Sequence, residues 1–412
     1  MKGSMHAKNF MNISTLASKF ALLWRARKVW RKPKSAKILI YDRIGSIILF
    51  EYIKEDNVEI LDVRGESINL YVMLRCIFSL ELSGSGYASK YISIVSPSVI
   101  VTFIDNNPRF YELKLAYPRV VMIFIQNGVR GETADIFGFL KTNPRNNSYH
   151  VDYMLTFGAA IGAKYREYIN GRIISIGSMK ANRCKIEKNV NEKSLVFISQ
   201  FDPPPGNSEQ SHFGSTDTRH ITWSDFFSAE RRIVKLLANY CWKNNLIFQI
   251  CGRHPDLSGE EYEFFRESIG SKEWEFIPRD GLLGSYKIID RAEFVIGIDS
   301  TLVYESLARG NKTGVFSARS DLLDDPAAKF GWPEKLPDNG PFWTNHADEN
   351  EFERVLDYLT SVSNIDWGNI HQQYVPNLIE YDPGNTRFIS LLQKLNVQLN
   401  DRYTGDHPTQ IH

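Results

Sequence analysis

At 412 residues the chain is long enough for two domains of ordinary size, and 49 basic against 48 acidic side chains argue against binding nucleic acid through bulk charge. Its four cysteines, Cys76, Cys184, Cys241 and Cys251, form no CxxC pair, which excludes a disulfide framework or cysteine zinc site and fits a reducing compartment. No apolar run approaches the roughly twenty residues a membrane helix needs, and the N-terminus lacks a signal-peptide pattern, so a cytoplasmic protein is expected.

Residues 1–36 stand apart. Within them, residues 10–34 interleave Phe20, Leu22, Leu23, Trp24, Val29 and Trp30 with Lys19, Arg25, Arg27, Lys28, Arg31, Lys32 and Lys34. This suits either a helix lying on an anionic membrane, hence peripheral contact at the inner membrane, or a helix packed on the body with a solvated basic face.

From residue 37 the pattern is regular. Apolar runs at 36–42, 58–63, 91–95, 98–105, 119–126 and 153–157 read as strands, and segments such as 68–79 and 159–170 read as helices. Such alternation predicts a parallel sheet wrapped by helices, whose strand ends line a ligand crevice. The ends here are Asp105-Asn106-Asn107, Gln126-Asn127-Gly128 with Arg130 and Glu132 close behind, and Gly177-Ser178. Planar amides and a carboxylate suit the hydroxyls of a sugar acceptor, although Asn127-Gly128 is equally a turn dipeptide. Glu132 is a candidate general acid or base.

Residues 185–193 lose periodicity and read as a linker. A strand at 195–200 opens the second half and runs into a loop over 201–221, rich in Pro, Gly, Ser and His; a structureless loop of about twenty residues is more often functional than accidental. A helix over 228–243 follows, with Ser224 or Asp225 as its N-cap. Asp225 is also a candidate carboxylate facing the anomeric carbon of a sugar, with Glu230, deeper in the helix, as a weaker competitor.

Two buried strands, 247–250 and 294–298, end in polar bursts. After the first, Arg253-His254-Pro255 aims His254 into the crevice, because Pro255 keeps the preceding residue out of the helical region. After the second, Asp299-Ser300-Thr301 opens a helix over 302–309. Free N–H groups, the positive helix end and two hydroxyls there suit a phosphate, and Glu305, one turn on, reaches the hydroxyls of a ribose. The same residues also serve as an ordinary helix cap. A strand at 311–317, an irregular stretch to 348, a helix over 349–361 and a last helix over 386–399 complete the chain.

Taken in order, the end in Gln-Asn-Gly, the Val-Asp-Tyr-x-Leu-Thr-Phe-Gly run at 151–158, Ile-Gly-Ser at 176–178, His254-Pro255 and Asp299-Ser300-Thr301 with Glu305 resemble bacterial surface-polysaccharide glycosyltransferases of GT-B architecture. Within that group the chain is most similar to the retaining β-Kdo transferases of O-antigen and capsule synthesis. The resemblance, over roughly residues 37–400, implies an α/β, GT-B-like fold of two Rossmann-like domains facing a central crevice: 37–190 on the acceptor side, 191–385 on the nucleotide-sugar side, and 386–412 crossing back. It implies CMP-Kdo as donor and a lipid-linked or oligosaccharide acceptor. Arg253, His254, Pro255, Ser300, Thr301 and Glu305 would bind the donor; Asp105, Asn106, Gln126, Asn127 and Arg130 would bind the acceptor. Asp225 would form a glycosyl-enzyme, and His254, alone or with Arg253, would neutralise charge on the departing CMP. No DxD-like carboxylate cluster stands at the crevice, so no metal or other cofactor is expected. The alternatives are a related CMP-sialic-acid or CDP-polyol transferase and a non-catalytic assembly subunit.

Overall fold

The computed structural model describes residues 25–403, apart from 82, 133–134, 145–147, 188–192, 207, 211, 216–219, 257–258 and 324. Residues 10–24 of the basic aromatic segment lie outside the described residues. Of its remainder, Arg27–Val29 is a short strand parallel to Ser67–Asn69, where a helix was expected.

Six parallel strands form the first sheet: β1 (Ile38–Tyr41), β2 (Val58–Leu61), β3 (Val99–Thr102), β4 (Val121–Ile125), β5 (His150–Thr156) and β6 (Asn170–Ser175). Their order is β2-β1-β3-β4-β5-β6, so the chain reverses direction of travel across the sheet between β1 and β3. The second sheet contains β7 (Ser194–Ile198), β8 (Ile247–Cys251), β9 (Glu275–Ile277), β10 (Phe294–Gly297), β11 (Thr313–Phe316), β12 (Asn339–Gly340) and β13 (Trp343–Thr344). Its order is β9-β8-β7-β10-β11-β13-β12, and every pairing but the last is parallel. The reversal between β7 and β10 is where doubly wound sheets open a ligand crevice. The central strands of both sheets, such as β1, β3, β7 and β10, are continuous buried runs, as strands covered on both faces by helices must be. The architecture is the expected α/β, GT-B-like pair of Rossmann-like units.

Residues 91–95, expected as a strand, instead finish the helix Gly84–Val95. The Tyr-Ile-Ser-Ile-Val run has strand composition, but Ala88, Tyr91, Ile92 and Val95 are the buried positions, and that spacing is helical. The loop expected over 201–221 contains the short strands His212–Ser215 and His220–Thr222, which pair antiparallel. The helix after them spans Trp223–Asn244, starting earlier than expected, and its N-cap is Thr222. A helix over Asn364–Leu378 escaped the reading because its apolar positions are few; Trp367, Val375 and Leu378 are buried. The last helix stops at Lys394. Its Phe388, Leu391 and Leu392 pack with Val397 and Leu399 into the core under β1 and β3, so residues 388–399 are built into the first unit. Leu399 also bridges antiparallel to Ile53.

Candidate functional site

Four ends of the second sheet meet in one hydrogen-bonded network. Gln200, just past β7, accepts from Arg253 Nη1 through its backbone carbonyl at 3.1 Å. Its side-chain Oε1 accepts from Asp299 N–H at 3.4 Å and from Arg319 Nη1 at 3.2 Å. Arg319, three residues past β11, also pairs with Asp299 Oδ1 at 3.0 Å and with Glu230 Oε2 at 2.9 Å, and its guanidinium lies 4.0 Å from the Phe226 ring centroid. Arg319 and Glu230 are buried. Burial pushes the Glu230 carboxyl up to about 7, against the downward pull of Arg319 and of the Gln200 N–H. The network thus spans the ends of β7, β8, β10 and β11 at the reversal point.

Arg253 and His254 sit on its outer side. Glu261 holds their loop by accepting both backbone N–H groups at 2.8 Å, a fixed turn stabilised by a buried carboxylate. His254 Nε2 is 3.2 Å from the Phe201 carbonyl; a carbonyl only accepts, so Nε2 carries the hydrogen in that contact. Arg253 pairs with Asp202 at 2.7 Å. Ser300 is the N-cap of the helix Thr301–Ala308, accepting from Leu302 N–H at 3.3 Å. Gly297 lets that helix pack back on β10, since a Cβ there would collide with Val303.

The first unit reaches this helix directly. Thr301 Oγ1 accepts from Val129 N–H at 3.1 Å, and Glu305 Oε1 accepts from Ser178 Oγ beyond β6. Glu305 is buried; desolvation raises its pKa, opposed by hydrogen bonds from Ser178 and Tyr286. The ribose partner expected from the sequence therefore joins the two units here.

The residues expected on the acceptor side are also placed together, Glu132 apart. Asp105 is buried and accepts from Arg130 Nε at 2.6 Å, from Tyr165 OH at 2.5 Å and from Asn127 N–H at 3.3 Å. Gln126 is buried too, donating to Gly128 O at 2.9 Å and accepting from Phe157 N–H at 2.8 Å. These side chains hold the loop that touches Thr301; Asn106 is exposed beside them. Glu132 lies elsewhere, 3.8 Å from both Lys141 and Lys164, in a groove of about 770 Å³ between the helix Ala159–Arg166 and residues 326–338. That groove's lining includes neither His254 nor Ser300. Asp225 is exposed and completes a capping box: its Oδ2 accepts from Thr222 N–H at 2.9 Å and from Thr222 Oγ1 at 2.7 Å. Among the described residues, no three His, Cys, Asp or Glu side chains are grouped so as to hold a metal ion. Gln200 and Arg319 were missed by the sequence reading; each lies within three residues of a buried strand's end, the kind of position that pointed to His254 and Ser300.

The family described as "putative O-antigen biosynthesis protein" matches residues 123–396, which include β5 to β13 and all of the network. The chain belongs to this O-antigen biosynthesis family. No curated protein matches it in sequence. Among solved structures, S. aureus MnaA in a co-structure with UDP is similar at 11% identity and TM-score 0.50, over 88% of this chain and 98% of that one. A Listeria monocytogenes protein described as a putative UDP-N-acetylglucosamine 2-epimerase is similar at 11% identity and TM-score 0.51, over 90% and 96% of the two chains. At such identities the likeness establishes the fold that the O-antigen family member shares with them. No helix among the described residues is long and apolar enough to cross a membrane.

Proposed function

We propose that the protein is a glycosyltransferase of O-antigen assembly, taking a sugar from a nucleotide donor whose phosphate sits at the start of the helix Thr301–Ala308. The observation that carries this reading is the convergence of Arg253, His254, Gln200, Asp299 and Arg319 at the point where the second sheet reverses. Helix N–H groups and the two cationic or protonatable side chains of the β8 end would offset the charge that gathers on a departing nucleotide. The buried Glu230–Arg319 pair would fix the floor beneath it. Family membership and the fold's likeness to a structure that contains UDP support a nucleotide-bound substrate.

The finer reading takes CMP-Kdo as donor, by the resemblance of the sequence, with no metal assigned to the chemistry. In it the Asp225 carboxylate attacks the anomeric carbon, the bond to phosphate breaks and CMP leaves. An acceptor hydroxyl then displaces the aspartyl ester and gives its proton to a base, so that configuration is retained. The capping box argues for a structural duty of Asp225 as well, and the two duties separate by experiment. Intact-protein mass after incubation with CMP-Kdo alone should rise by one Kdo in the wild type and not in Asp225→Ala. CMP release and acceptor modification without an adduct would replace double displacement by a single-step mechanism. Untouched CMP-Kdo would remove Kdo and leave other CMP-sugars or CDP-polyols to be tried.

A further inference from the structure

The outer edge of the first sheet carries surface that the transfer chemistry does not use. Pairing of Arg27–Val29 with Ser67–Asn69 seats residues 25–34, six basic and none acidic, beside the helix Leu70–Phe78. This segment is tied down: Ala26 and Pro33 are buried, Asn69 Nδ2 donates to the Arg31 carbonyl at 2.8 Å, and Arg31 pairs with Glu59 at 3.2 Å. The helix buries Val72 and Cys76 and turns Leu74, Ile77 and Phe78 outward, at positions i, i+3 and i+4 of one face. Phe78 is 84% exposed, Leu80 just beyond it 85%, and Trp30 73%. Arg75 is exposed on the same helix. Gly84, which opens the next helix, lies by Arg109 in the helix following β3, so the tip around Phe78 and Leu80 stands at the crevice end of the unit.

We propose that this surface docks the protein on an anionic lipid bilayer. Leu74, Ile77, Phe78, Leu80 and Trp30 enter the boundary between headgroups and acyl chains, while Arg25, Arg27, Lys32 and Arg75 meet lipid phosphates. Charge selects a bilayer over a second copy of the chain, because a symmetric pair built on this face would set the same cations against each other. Docking here brings the crevice end toward the membrane, where a lipid-linked acceptor would be presented. The docking itself stands without any assumption about the donor.

Co-sedimentation of the full chain with vesicles tests it. The wild type should pellet with phosphatidylglycerol-containing vesicles, stay in solution with phosphatidylcholine alone, and release as salt rises from about 0.1 to about 0.5 M. Phe78→Ser/Leu80→Ser and Arg27→Glu/Lys32→Glu should each weaken partitioning by about tenfold or more, with an unchanged thermal midpoint as the check on folding. A wild type that ignores anionic vesicles, binds both vesicle types equally, or binds as well in both variants overturns the proposal. So does a wild-type dimer that the Phe78→Ser/Leu80→Ser variant converts to monomer, which would assign the face to a second copy.

Discussion

Arg319 is the residue whose loss should be felt most widely, since it neutralises buried Glu230 while also holding Gln200 and Asp299. Arg319→Leu strands a buried carboxylate and should cost about 3–5 kcal/mol in urea unfolding; a loss within experimental error would mean the pair does not organise the floor. Glu230 adds a pH signature. Folded, its carboxyl keeps the proton to about 7, whereas the unperturbed group releases it at 4.5. The site therefore favours the folded state fully below about pH 4.5, and that contribution is lost as pH rises through 7. Relative to non-titrating Glu230→Gln, the wild type should lose stability between about pH 5 and about pH 8, on the order of 3 kcal/mol. Urea midpoints of the two proteins across that range read the effect, and a constant difference would contradict it.

At the scale of elements, the helix Trp223–Asn244 carries both a cap and a candidate nucleophile within its first turn. Thr222→Ala and Asp225→Ala should each cost about 1 kcal/mol of stability by opening the capping box. If Asp225 only caps, their effects on sugar transfer should match; if it also attacks, only Asp225→Ala abolishes transfer. Most strands of both sheets were legible because buried parallel strands are short apolar runs closed by polar ends. His254 and Ser300 were legible for the same reason. What the sequence left hidden is which ends meet: Gln200 and Arg319 acquire their meaning only when β7, β10 and β11 lie side by side, and the contact of Glu305 with Ser178 spans residues far apart in the chain. Tyr91–Val95 misled because strand composition sat on helical spacing.

In the whole molecule, the segment around Tyr381 ties the two units together. Gly177, at φ +69°, bridges antiparallel to Tyr381, and a Cβ there would collide with the Glu380 carbonyl. Gly177→Ala should therefore destabilise on the order of 2 kcal/mol or more and speed protease cleavage near residues 380–386. Wild-type cleavage rates in that variant would contradict the close approach. The Thr301–Val129 and Glu305–Ser178 contacts lie on the same seam, so a nucleotide bound at the helix start would be sensed by both units. The most direct test of the central claim is hydrogen exchange by mass spectrometry with and without CMP. CMP should slow exchange at the amides of Asp299 to Val303 and around Arg253 and His254, and the protection should vanish in His254→Ala. Protection confined to other parts of the chain, or none with any nucleotide, would contradict a donor site at this crevice.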